Sequence, residues 1–183
     1  MRAWVRTISL LAMMVATLGH PCGQRAQAAP SPSEPRVNPD HTLAIVVNRS
    51  NPIDNLAFSE LRKIFLGERN HWSNGHRIVI AMLDYGQPER RAVLRLIYRM
   101  DEANYQDFLL RGMFRGDVFV APKTLASPTI LRKFVFNAPG AIGYLRLRDV
   151  DQSVKVVRID ALSPQDKGYR LLIDEPLAIQ GSE

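Results

Sequence analysis

Asn137-Ala138-Pro139-Gly140-Ala141-Ile142-Gly143-Tyr144-Leu145 ends an amphipathic helix pattern and opens an apolar run. Pro139 and Gly140 stop the helix, and two glycines stand where side chains would obstruct the backbone. Upstream, Ser127 and Pro128 supply an N-cap and a first-turn residue for a helix that turns Ile130, Leu131, Phe134 and Val135 inward. A helix, a tight turn and a buried strand in immediate succession are the local signature of an alternating α/β fold.

The same alternation runs back through the chain. Leu43-Ala44-Ile45-Val46-Val47 is continuously apolar and rich in β-branched residues, as a strand buried on both faces requires. Asn48 to Asn55 reads as a loop, and Ser59 is placed to cap a helix carrying Leu61, Ile64 and Phe65 that Gly67 stops. A turn over Asn70 to Gly75 precedes a strand from Arg77 to Leu83. Asp84-Tyr85-Gly86-Gln87-Pro88-Glu89 then leads into a helix over 88 to 100, with Pro88 in the first turn and Glu89 at its positive end. Asp101 begins a further helix with Tyr105, Phe108 and Leu109 inward, and Phe114-Arg115-Gly116-Asp117 is a loop. Later strands are expected around 142 to 145, 154 to 159 and 169 to 173, which together predict one mixed sheet with helices packed on it.

The N-terminus sets the compartment. Arg2 and Arg6 precede an apolar run from Thr7 to Leu18, and Ala26-Gln27-Ala28 is a small-x-small cleavage site, the pattern of a signal peptide over residues 1–28. The run is shorter than the roughly 20 residues a membrane span needs. Residues 29–41, with prolines at 30, 32, 35 and 39, read as a disordered leader, 42–175 as the folded domain and 176–183 as a flexible tail. The single cysteine, Cys22, precedes the cut, so the mature chain is expected to hold no thiol for disulfides, metal or catalysis. Half of the formal charge of +6 lies in Arg2, Arg6 and Arg25, and the mildly basic remainder suits small anions without indicating nucleic acid.

Catalytic signatures are sparse. His41, His71 and His76 show no metal-ligand spacing, and neither a nucleophile elbow nor a phosphate-binding P-loop is present, so no enzyme, metal site or cofactor is expected. Arg91, Arg95 and Arg99 recur at i, i+4 and i+8, read here as a solvated helix face. The best ligand candidate is the strand-to-helix junction, where helix-start N–H groups near Arg90 and Arg91 can hold an oxyanion. Its candidate residues are Tyr85, Gly86, Gln87, Arg90 and Arg91, with Ser50 added from the first loop. Tyr85 is also readable as a turn residue and Ser50 as a loop cap.

Several segments share a family pattern in order: Val46-Val47-Asn48-Arg49-Ser50-Asn51-Pro52, then Leu61-Arg62-Lys63-Ile64-Phe65-Leu66-Gly67 with Trp72 and Gly75, then Phe114-Arg115-Gly116, Pro122 and Pro139 to Tyr144. Together they resemble the small exported phosphate-transporter substrate-binding-protein-like family, related to the phosphate-binding proteins of ABC transporters. The resemblance implies a periplasmic-binding-protein type II fold, present here as a single-lobe α/β sandwich. It also implies a phosphate or other small oxyanion as ligand and a membrane transporter or envelope protein as partner.

At the phosphate-contacting helix start, where full-length relatives carry a Ser-Gly-Thr type turn, this chain has Gln87-Pro88-Glu89. Two hydroxyl donors and one backbone donor are lost, and an ionised Glu89 would repel the anion. Arg90 stands where smaller members commonly carry an arginine. The stretch before Leu43 also leaves no room for the strand, helix and loop that form the other half of the site in full-length relatives. Two functions therefore stand side by side: an exported binding protein that holds an oxyanion weakly, and an interaction module of the cell envelope that has lost its small ligand.

Overall fold

A computed structural model describes residues 37–114 and 121–173 of the 183-residue chain. The expected signal peptide, Cys22, most of the expected leader, all of the expected loop beyond Phe114 and the expected tail lie outside the described residues. Six strands form one mixed sheet: β1 (Leu43–Val47), β2 (Asn55–Leu56), β3 (Val79–Leu83), β4 (Lys123–Leu125), β5 (Ala141–Arg146) and β6 (Lys155–Ile159). Their order is β2-β6-β1-β5-β3-β4. β1 runs antiparallel to both neighbours, pairing Val47 with Ile142 and Val46 with Val156, whereas β3 is parallel to β5 and β4. All five residues of β1 are fully buried, as its unbroken apolar run predicts.

The helices are α1 (Phe58–Phe65), α2 (Pro88–Val93), α3 (Glu102–Phe114) and α4 (Pro128–Asn137), and a π-helical turn over Leu94–Tyr98 continues α2. Period-two alternation along β5 sends its side chains to opposite faces. On one face Gly143 meets Leu131 of α4. On the other, the Tyr144 hydroxyl accepts the Leu83 amide at 3.0 Å. That second face carries an aromatic cluster in which Tyr98 meets Tyr105 edge-on at 4.9 Å, and both hydroxyls point at the Met82 sulfur. Helices thus cover both faces of the sheet.

The opening stretch has the role its glycines imply. A Cβ on Gly140 would lie 2.0 Å from the Arg77 carbonyl oxygen, and one on Gly143 would lie 2.9 Å from Leu131 Cδ2 and 3.3 Å from Ala81. The Gly140 carbonyl accepts both the Val79 amide at 3.1 Å and the Trp72 indole N–H at 3.0 Å. Side chains at these positions would hold β5 away from β3 and α4.

Several expectations are corrected by the structure. Ser59 does not cap α1; it lies inside the helix, and the N–H of Phe58 donates instead to Asp160 Oδ1 at 2.9 Å, from the turn after β6. The helix begun at Pro88 widens into a π turn and ends at Arg99, which adopts a left-handed φ of 59°. The strand expected over 169–173 is reduced to a single bridge from Leu172 to Thr42. Order begins before residue 42: Arg146 and Arg148 bond the Asp40 carbonyl and carboxylate at 2.8 and 2.9 Å. β2 and β4 were not foreseen, because two and three residues are too short to show alternation.

Candidate functional site

β3 ends at Leu83, and Asp84 is fixed beyond it by the hydrogen bond its N–H donates to the Leu125 carbonyl at 3.0 Å. The chain then reverses through Tyr85 and Gly86 before Gln87 caps α2 in an extended conformation. Gly86 has a φ of 85°, a left-handed conformation that favours glycine, and the space beside it is open. Tyr85 is 77% exposed. The Arg91 guanidinium folds back over the turn and donates to the Gly86 carbonyl at 2.6 Å. Tyr85, Gly86, Gln87 and Arg91 therefore form one solvent-facing loop at the C-terminal edge of β3, the end of a strand where α/β sheets commonly hold ligands.

Beneath this loop lie two ion pairs, one fully buried and one partly buried. Glu89 is only 5% exposed, and its carboxylate accepts from Nε of Arg146, on the last residue of β5. Its charge is thus answered inside the protein, which corrects the expectation that it faces and repels an anion. Glu89 Oε2 accepts no hydrogen bond among the described residues, so the pair is incompletely satisfied. Arg90 is equally buried: its Nε and Nη2 clasp the two oxygens of Glu102 at 2.9 and 2.7 Å, and Nη1 donates to the Leu83 carbonyl at 2.9 Å. Its guanidinium carbon also sits 5.3 Å from the centre of the Tyr105 ring. The hydrogen bond from Arg90 holds the Glu102 carboxyl below its ordinary range. Burial pushes the Tyr144 phenol well up, so it stays protonated and accepts the Leu83 amide as a neutral hydroxyl.

The structure does not bring Ser50 to the other candidates. Ser50 follows β1, whose end pairs with the start of β5, whereas the Tyr85 turn follows the end of β3. Because β1 and β3 run in opposite directions, the two loops lie at opposite edges of the sheet, separated by a strand that rises about 3.3 Å per residue. There Ser50 closes a turn on Asn48: its N–H and hydroxyl both donate to Asn48 Oδ1, while the Asn48 amide anchors to the Val135 and Phe136 carbonyls of α4.

Sequence reasoning missed Arg146, Glu102 and Tyr144 as the groups that set the electrostatics beneath the loop. A signal for Arg146 existed: a cation ends a strand that is otherwise apolar and buried, a place where charge is rare unless paired. Among the described residues no group of His, Cys, Asp or Glu is arranged to hold a metal ion, and no helix is long and apolar enough to cross a membrane.

No protein-family model matches the chain. It is 25% identical over 134 residues to the phosphate-binding protein PstS of Bacillus subtilis (strain 168), covering 70% of this chain and 41% of that protein. An ABC-type phosphate transport receptor from Vibrio cholerae superposes with a TM-score of 0.55 at 23% identity, over 68% of this chain and 48% of the receptor. A candidate phosphate ABC transporter substrate-binding protein from Clostridium perfringens, solved with bound phosphate, gives 0.55 at 20% identity, over 70% and 49%. Over about two thirds of its length the chain is thus similar to phosphate-binding proteins. It has the α/β fold of these receptors, a mixed sheet with flanking helices, and spans less than half of the length of the relatives it matches.

Proposed function

We propose that this chain is an exported, non-enzymatic substrate-binding-protein-like domain. It serves phosphate or another small oxyanion in association with a membrane transporter, with signal-peptide cleavage near Ala28. Its own hold on the anion is weak and lies at the loop from Tyr85 to Gln87 with Arg91. The observation that carries this reading is the exposed turn itself: a left-handed Gly86 beside open space, with the Arg91 guanidinium folded over it. Backbone N–H groups and one exposed cation can replace part of the hydration shell of an anion, but an open site leaves the remainder to water.

Calorimetric titration of the mature protein with phosphate, sulfate and organic phosphates tests it. Weak phosphate binding that is lost in Arg91→Ala is the expected result. Micromolar or tighter binding unaffected by that substitution would overturn the placement at this loop.

One observation favours a second reading, an envelope interaction module that no longer binds a small ligand. The two charges at the helix start, Glu89 and Arg90, are both committed to internal partners. Complete absence of a heat signal with every anion would select this reading.

A further inference from the structure

The helix that follows the loop departs from regular geometry where a cavity opens. Over Leu94–Tyr98 it becomes π-helical, and the amides of both Arg99 and Met100 return to the Leu94 carbonyl. Arg99 then takes a left-handed conformation, φ 59°, without being a glycine. Such a conformation is strained for a non-glycine residue and tends to persist where function requires it, and π turns in helices concentrate at functional sites.

The departure shapes a trough. One cavity of about 680 Å³ is lined by Arg91, Leu94, Arg95, Arg99 and Met100 together with the start of α3. A second, of about 330 Å³, shares Arg99, Met100 and Asn104 with it and continues to Phe108 and Arg111. Together they are far larger than a single oxyanion and lie open along one side of the helix pair. Their walls set cations beside apolar surface from the half-buried Met100 and Phe108.

Two of the three acidic residues nearby face an arginine, and the third accepts a helix-start amide. Glu102 is bound to Arg90, Asp101 accepts the Asn104 amide at 2.8 Å, and Asp107 stands 3.8 Å from Arg111. Arg91 and Arg99 are exposed, one before the π turn and the other after it, so they stand at different places along the trough.

We propose that this trough is a docking groove for an acidic, apolar segment of a partner protein, bound in extended form with its carboxylates on Arg91 and Arg99 and its apolar side chains on Met100 and Phe108. Charge complementarity and elongation select this occupant over a compact anion, which would leave the apolar walls uncovered. The groove is separate from the phosphate reading of the Tyr85 loop and shares only Arg91 with it.

Fluorescence anisotropy of the mature protein with a short labelled peptide of alternating Glu and Leu tests the proposal, with a Lys-Leu peptide and inorganic tripolyphosphate as controls. The acidic peptide is expected to bind and to weaken with salt. Affinity should fall roughly threefold in Arg99→Gly and roughly tenfold in the Arg91→Ala/Arg99→Gly double variant. Arg99→Gly keeps the left-handed backbone, so circular dichroism should show an unchanged fold. Failure of the acidic peptide to bind, equal binding of the Lys-Leu peptide, full affinity in the double variant, or tighter binding of tripolyphosphate than of the peptide would each overturn it. Phosphate titration reads the loop independently, so loss of one reading is distinguishable from loss of the other.

Discussion

Arg90 and Glu102 are joined by two hydrogen bonds, 2.9 Å from Nε and 2.7 Å from Nη2, while Nη1 of the same guanidinium reaches the Leu83 carbonyl at 2.9 Å. One side chain thereby ties the start of α3 to the end of β3 directly beneath the candidate loop. Arg90 is buried, so its first role is to hold the platform on which the loop stands.

Arg90→Ala should therefore act on stability. Removing the guanidinium leaves the Leu83 carbonyl and the partly buried Glu102 carboxylate without their donor, and a loss of about 2 kcal/mol in urea unfolding is expected. Arg90→Lys should rescue little of it, since an ammonium cannot reproduce the two-pronged clasp on Glu102 together with the bond to Leu83. A phosphate titration of the still-folded Arg90→Ala protein should change less than that of Arg91→Ala. The opposite ranking would move the anion contact onto Arg90.

The same pair predicts a pH dependence. The Glu102 carboxyl is held below its ordinary value of 4.5, chiefly by the hydrogen bond from Arg90. A carboxyl depressed in the folded state contributes stability that is complete above its unfolded value and is lost as pH falls through its folded value. Thermal melts between neutral pH and about pH 3 should show an acid-side loss that is smaller in Glu102→Gln. An identical acid limb in both proteins would remove the pair from the explanation.

The glycine turn makes a sharper claim. Gly140→Ala places a methyl group 2.0 Å from a backbone oxygen, which cannot move without displacing the strand. Gly143→Ala meets the end of a leucine side chain at 2.9 Å, and that atom can yield. We expect Gly143→Ala to cost about 1–3 kcal/mol and Gly140→Ala more than that, both read by denaturant unfolding. Equal effects would mean that the backbone near Arg77 relaxes freely.

Asp160 caps α1 from 102 positions away and does so at a left-handed φ of 52°. Asp160→Ala should lose about 1 kcal/mol or more, because it removes the acceptor for the Phe58 amide and keeps an unfavourable backbone conformation. Asp160→Asn should retain most of the stability, since asparagine supplies the same acceptor and tolerates that conformation. Comparison of the two melting temperatures separates the cap from the charge.

What the chain discloses locally is what local physics decides. Leu43 to Val47 announces a strand buried on both faces, and Ser127 with Pro128 announces the start of α4, where Ser127 Oγ accepts the Ile130 amide at 3.3 Å. The loop from Tyr85 to Arg91 was also legible, because glycine, proline and charge mark a strand-to-helix passage. The charge balance beneath it was not. Glu89 looks like a helix-start anion facing solvent until β5 brings Arg146 against it from 57 positions away. Ser59 is a good capping residue by type, yet Asp160 reaches the Phe58 amide first. Ser50 fell out of the site for the same reason, since strand direction in the assembled sheet decides which loops share an edge.

β1 lies at the middle of the sheet, and both strands that flank it, β5 and β6, come from the last third of the described chain. The most apolar strand is thus synthesised early and satisfied late, which raises the contact order and slows closure of the core. For the exported protein proposed here, that delay works in its favour: a chain whose central strand cannot pair until residues 141–159 have emerged stays threadable during translocation. It also leaves Leu43 to Val47 as the segment most in need of shielding on the way.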